Sequence, residues 1–112
     1  MKYGIALLAL TILIPSTASA ESCIASVYTT RENGTRTASG IPFSDHGMTI
    51  AHKTLRFGTK VRITNKHNGK SAIFTTTDRG PFVKSRCADL SLAGARALGF
   101  SGLAPVTVEV IQ

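Results

Sequence analysis

The first twenty residues constrain this chain most, because they set apart a segment that takes no part in the fold. Lys2 gives a short positive start, and Ile5 to Ile14 form an apolar run broken by Pro15 and Ser16. Ala18-Ser19-Ala20 then supplies small residues. This is the pattern of a secretory signal peptide over residues 1–20, with cleavage expected after Ala20. As a helix the apolar run reaches only about 15 Å, roughly half of a bilayer's hydrocarbon core, so no stable membrane insertion is expected. Cys23 follows Glu21-Ser22, a charged and polar pair that suits lipid acylation poorly. The expected product is therefore a soluble domain over residues 21–112, periplasmic or secreted, without a lipid anchor.

A domain of that size buries only about 60–65% of its unfolded surface, so a cross-link has much to add. Cys23 and Cys87 are the only cysteines, and an oxidising compartment makes a disulfide their default state. On the chain-entropy account, closing so long a loop stabilises the fold by about 4 kcal/mol. The two are too far apart for a zinc motif and form no CxxC pair. Three dispersed histidines (His46, His52, His67) make no metal motif either. No metal or cofactor is expected.

Of the 13 Lys and Arg residues only Lys2 lies in the leader, leaving 12 against 6 carboxylates. A basic exported protein favours polyanionic partners such as wall polymers, lipid surfaces or nucleic acid. The basic residues are spread along the chain, there is no tryptophan, and no aromatic platform for stacking bases is present. Nucleic acid is accordingly not the expected partner.

The patterning is that of short strands. Ile24 to Thr30 reads as a first strand ending before an Asn33-Gly34 turn, and Thr35 to Met48, with Ser39-Gly40, Pro42 and His46-Gly47, reads as a long loop. Thr59 to Asn65 alternates with Val61 and Ile63 inward and Arg62 outward. His67-Asn68-Gly69-Lys70 turns the chain, and Ser71 to Thr77 returns as the paired strand. Cys87 to Leu90 is a short strand. Ser91 to Leu98 is the only expected helix, capped by Asp89 or Ser91 and stopped by Gly99, and Ala104 to Ile111 is the last strand. Short strands with one helix and no repeats predict a mainly β, closed barrel.

Few side chains here can move protons. Of the carboxylates, Glu21 is placed by the pattern at a frayed terminus and Glu109 in a late strand. Asp78 is the most suggestive, since it ends a strand and enters the stiff Arg79-Gly80-Pro81 turn, which fixes its direction. An aspartate opening a turn also bonds the backbone two residues on, so the residues alone leave the catalytic and structural roles equally open. His52, between apolar and basic neighbours, reads first as a hydrogen-bonded structural residue. No phosphate-binding glycine loop or nucleophile elbow is present.

Taken in order, several stretches resemble the rare lipoprotein A (RlpA) family. They are Ala25-Ser26-Val27-Tyr28, Arg36 to Phe43, Thr49 to Thr59, Val61 to Asn65, Asn68 to Ser71, Thr77-Asp78-Arg79-Gly80-Pro81-Phe82 and Ala88-Asp89-Leu90-Ser91. The resemblance runs from about residue 24 to residue 110. It implies a six-stranded double-psi β-barrel and lytic transglycosylase action on peptidoglycan glycan strands, with a preference for strands stripped of stem peptides. In that reaction one carboxyl group protonates the glycosidic oxygen and then deprotonates the muramyl C6 hydroxyl, giving a 1,6-anhydro product; ordinary glycosidases use a pair of carboxylates. By position, Asp78 is that acid and base, His52 lines the cleft beside it, and Arg79, Lys53 and Phe82 contact the glycan.

One position departs from the pattern. Ile41 stands where the family usually carries a glutamate, and isoleucine neither ionises nor accepts a proton. Asp45, four residues on, is the possible substitute carboxylate. Three functions follow: a lytic transglycosylase acting as a monomer, a non-catalytic expansin-like wall-binding or wall-loosening module on the same barrel, and a secreted effector or inhibitor that recognises a protein.

Overall fold

The computed structural model describes residues 20–112; of the leader assigned to residues 1–20, residues 1–19 lie outside the described residues. Six strands and two short helices follow in order: β1 (Glu21–Val27), α1 (Thr30–Asn33), β2 (Thr49–His52), β3 (Lys60–Asn65), β4 (Ser71–Asp78), β5 (Arg86–Leu90), α2 (Leu92–Ala97) and β6 (Ala104–Val110). The strands close into a barrel in the order β1-β5-β2-β4-β3-β6. The β1/β5 and β2/β4 pairs are parallel and the other four antiparallel. Among the described residues, closure leaves no sheet edge open to pair with another chain. This is the six-stranded double-psi barrel that the family resemblance implies.

Alternation builds the interior. Val61 and Ile63 of β3 are fully buried while Arg62 between them is exposed and pairs with Glu109 across β6 at 3.0 Å. Phe74, Ile50, Leu90, Val106 and Val108 complete the barrel core with Ala25 and Leu98. The β3–β4 hairpin pairs Lys60 with Thr75 through Thr64 with Ser71. Its turn is tied down by the buried Asn65, whose Nδ2 donates to the Leu98 carbonyl at 2.8 Å and whose Oδ1 accepts the His67 N–H at 2.9 Å.

Helix α2 closes one end. The Ser91 hydroxyl caps it by accepting the Gly94 N–H at 3.1 Å, which settles the choice between Asp89 and Ser91 in favour of Ser91. A glycine sits inside so short a helix because a Cβ at Gly94 would come within 2.3 Å of the Phe74 ring. The helix therefore lies flat on the largest core side chain. Cys23 and Cys87 form the expected disulfide, their Cα atoms 5.8 Å apart, linking the neighbouring strands β1 and β5.

Three expectations need correction. α2 is not the only helix: the first strand ends at Val27, and Thr30 opens the one-turn α1, capped by Thr29 accepting from the Glu32 N–H at 3.3 Å. A single turn carries no apolar periodicity, so the pattern showed only the turn that follows it. Strand β2 is missing from the residue pattern because four residues buried on both faces show no alternation. Glu21 is not frayed. It begins β1 opposite Val108, and its carboxylate meets the His52 ring.

Candidate active site

The outer face of the barrel carries a row of side chains that chain order does not bring together. Ser26 of β1 stands opposite Asp89 of β5, Asp89 opposite Ala51 of β2, and Ala51 opposite Asp78 of β4. Their inward neighbours Ala25, Leu90 and Ile50 are fully buried in the core, so the row faces the other way. A register shift makes this possible: Ile50 pairs with Thr76 but Ala51 with Asp78, leaving Thr77 as the extra residue. Such bulges bend a strand and re-aim a side chain.

Above the row, the segment between β1 and β2 folds back. Tyr28 and Phe43 stack with ring centroids 4.2 Å apart and pack with Ala51 as a second small core. Between this roof and the Arg79–Val83 segment lies a cleft of about 510 Å³, lined by Tyr28, Ala51, Asp78, Asp89 and Phe82 among others. Arg36 and Arg86 line it too.

Asp78 is held by two backbone donors. Its Oδ1 accepts the N–H groups of Ala38 and Arg79, each at 2.9 Å. The strand end and the turn thus fix one carboxylate oxygen, and the Ala38 bond docks the Thr37–Ile41 loop beside it. Asp89 accepts a short hydrogen bond from the Ser26 hydroxyl. Among the described residues no basic group lies within 4 Å of either carboxylate. Tyr28 feels both. Burial first, then Asp78 and Asp89, push its phenol well above the ordinary range, and its hydroxyl is buried with no hydrogen-bond partner in normal geometry. The Thr77 side chain offsets a part of that shift.

The other expected site residues are dispersed around the cleft. Phe82 is 86% exposed on its wall. Arg79 lines the cleft, but its guanidinium turns to the Leu55 and His52 carbonyls at 2.7 and 3.2 Å and sits 4.1 Å over the Phe57 ring. His52 does not line the cleft. Its Nδ1 accepts the Thr54 and Leu55 N–H groups at 3.1 and 3.2 Å, which leaves Nε2 to donate to Glu21 Oε1 at 3.1 Å. Lys53 is exposed and reaches the Val83 carbonyl at 3.4 Å on the rim. Asp45 is outside the cleft lining. It clamps α1, accepting the Thr30 N–H and hydroxyl at 2.9 and 2.8 Å, and these two bonds hold its carboxyl below the usual range. Ile41 is exposed on the loop that Asp78 anchors. Reading the residues alone missed Asp89, Ser26 and Tyr28, because only strand register places them beside Asp78.

A closed double-psi barrel with Asp78 and Asp89 in an outer cleft defines the class. The chain belongs to the lytic transglycolase family, whose model matches residues 20–109. It is 50% identical over 80 residues to the probable endolytic peptidoglycan transglycosylase RlpA of Nostoc sp., covering 70% of this chain and 22% of that protein. It is 49% identical over 90 residues to the endolytic peptidoglycan transglycosylase RlpA of Pseudomonas aeruginosa, covering 79% and 26%. The chain thus spans about a quarter of the length of these curated relatives. Two solved structures share the fold: the apo expansin of Clavibacter michiganensis (TM-score 0.66, 20% identity, 84% of this chain and 51% of that one) and the Streptomyces papain inhibitor (TM-score 0.68, 17% identity, 87% and 98%). At that identity they speak to the fold alone. Among the described residues no helix is long and apolar enough to cross a membrane.

Proposed function

We propose that this domain is an endolytic peptidoglycan lytic transglycosylase, exported by its leader and acting on glycan strands as a monomer, with Asp78 as its general acid and base. The observation that carries this reading is the position of Asp78 in the cleft. One oxygen is fixed by two backbone N–H groups, and among the described residues no basic group forms an ion pair with the carboxylate. A carboxyl group so aimed can give its proton to the glycosidic oxygen between the muramyl and glucosaminyl units. The muramyl C6 hydroxyl then closes on C1 as the Asp78 carboxylate takes its proton, forming the anhydro ring without water and restoring the acid. General acid–base assistance of this kind contributes about 10²- to 10⁴-fold in rate.

The surrounding residues take supporting roles. Phe82 offers an exposed aromatic face to a sugar ring. Arg79 acts as a strut, tying the turn after β4 to the loop after β2, and Lys53 extends the basic rim. His52 is a positioning residue, holding the 52–55 loop through its Nδ1 and β1 through Glu21. The name carried by the relatives supports the substrate class, and the family supports the reaction.

Ile41 favours a second reading, a glycan-binding or wall-loosening module that uses the same cleft without cutting. Incubating the purified protein with glycan strands, beside Asp78→Asn, and analysing products by mass spectrometry separates the two. Anhydromuramyl ends that vanish in the variant support the enzyme. Glycan retained by both proteins with no anhydro product supports the binding module.

A further inference from the structure

We propose that Glu21, Cys23 and Cys87 form a Zn²⁺ site when the Cys23–Cys87 bond is reduced, so that the metal replaces the disulfide as the tie between β1 and β5. The three residues lie outside the cleft lining, and the site is independent of the reaction proposed above.

Strand pairing supplies what chain order hides. The cysteines are 64 residues apart, so no zinc motif is legible along the sequence. In the barrel β5 lies beside β1, and the Cα atoms of Cys23 and Cys87 are 5.8 Å apart. Glu21 precedes Cys23 by two residues on β1, so both side chains leave the strand on the same face. A Glu21 carboxylate oxygen and the two sulfurs consequently all lie within 4.8 Å of one another. Among the described residues no other three His, Cys, Asp or Glu side chains bring their ligand atoms so close.

The surroundings suit a cation as well as the donors do. His52, on β2 at the far side of β5, donates its Nε2–H to Glu21 Oε1 at 3.1 Å. Its Nδ1 is committed to the Thr54 and Leu55 N–H groups, so the ring orients the carboxylate and is not itself a ligand. Hydrogen bonds of this kind fix ligating groups and strengthen metal sites. Cys87 is buried in the barrel core while the Glu21 side chain is half exposed, which gives the site a dry back and an open front. Two thiolates with a carboxylate suit Zn²⁺, whereas Mg²⁺ and Ca²⁺ take oxygen ligands. Three protein donors leave the fourth tetrahedral position to water.

The exchange balances. A dithiol reductant passes two electrons and two protons to the Cys23–Cys87 bond and closes into a disulfide itself. Zn²⁺ then displaces the two thiol protons to solvent and binds the thiolates. A disulfide oxidant reverses both steps: it takes two electrons from the sulfurs and two protons from solvent, the S–S bond returns, and the ion leaves. Either state ties β1 to β5, so the barrel keeps its cross-link under reducing conditions.

The test reduces the purified protein with a water-soluble phosphine, which becomes its oxide with an oxygen from water, and titrates it with Co²⁺ and then Zn²⁺ without air. One Co²⁺ per chain should bind with a thiolate-to-metal charge-transfer band that Zn²⁺ abolishes, and Zn²⁺ should raise the Tm of the reduced protein. The oxidised protein should show neither effect. In competition with a chromogenic chelator, Glu21→Gln should weaken Zn²⁺ binding by about tenfold or more, and His52→Gln by about 10- to 100-fold. Replacing both cysteines by serine should abolish the band. A reduced wild type without the band, equal binding by the oxidised protein, or Zn²⁺ affinity undiminished in Glu21→Gln overturns the assignment. Should the double cysteine variant not fold, Glu21→Gln still decides through its Zn²⁺ affinity, since it alters only the first residue of β1.

Discussion

Asp78 and Asp89 both stand opposite Ala51, one from each of the strands that flank β2. Neither forms an ion pair among the described residues, although Arg36, Arg79 and Arg86 line the same cleft. Barrel closure and the Thr77 bulge create that arrangement. The roof of Tyr28 and Phe43 encloses it.

The Tyr28 hydroxyl is buried and unpartnered beside these carboxylates. Tyr28→Phe deletes a buried hydroxyl that makes no hydrogen bond in normal geometry, so stability at neutral pH should hold or rise. The folded-state ionisation is raised, whereas the unfolded phenol ionises near pH 10. The wild type therefore keeps its full stability below about pH 10 and loses it as pH rises further, and Tyr28→Phe lacks that alkaline component. Urea unfolding across this range reads the difference.

Asp45 predicts the opposite limb. The Thr30 N–H and hydroxyl hold its carboxyl low in the folded state, so the stability it contributes is present above about pH 3.9 and lost as pH falls through the folded value. Asp45→Asn should lower Tm at neutral pH and show a smaller further loss on acidification. Cleavage should be unaltered, since Asp45 is outside the cleft lining; a loss of cleavage in a folded variant would assign it to the site.

Ile41 is exposed, and its side chain has no role in the core. Ile41→Glu should change stability by no more than about 0.5 kcal/mol. The loop that carries it is bonded to Asp78 through Ala38, so the new carboxylate is expected to raise the cleavage rate by roughly tenfold or more. Initial rates of anhydromuramyl release check this.

The disulfide closes 64 residues of sequence between adjacent strands. Replacing both cysteines by alanine should destabilise the protein by about 4 kcal/mol, measured by denaturant unfolding. Adding reductant to the wild type should approach the same value.

Legibility in the residues followed how local each signal was. The β3–β4 hairpin was readable because Val61, Arg62 and Ile63 alternate and Asn68-Gly69 turns the chain. Strand β2 was not, because Thr49–His52 is too short and too buried to alternate. Asp78 stood out by its turn. Asp89 read as one of two candidate helix caps, the other being Ser91, and only the register through β2 reveals where it faces. His52 and Asp45 drew attention as ionisable groups near matching stretches. Their hydrogen bonds, one set to Glu21 and the 54–55 backbone and the other to Thr30, come from contacts that sequence spacing does not show.

The most direct measurement of the central claim is cleavage of glycan strands in heavy-oxygen water, with the new muramyl ends analysed by mass spectrometry. The account predicts anhydromuramyl ends that carry no heavy oxygen and that disappear in Asp78→Asn. New ends bearing heavy oxygen, or anhydro ends undiminished in Asp78→Asn, would contradict it.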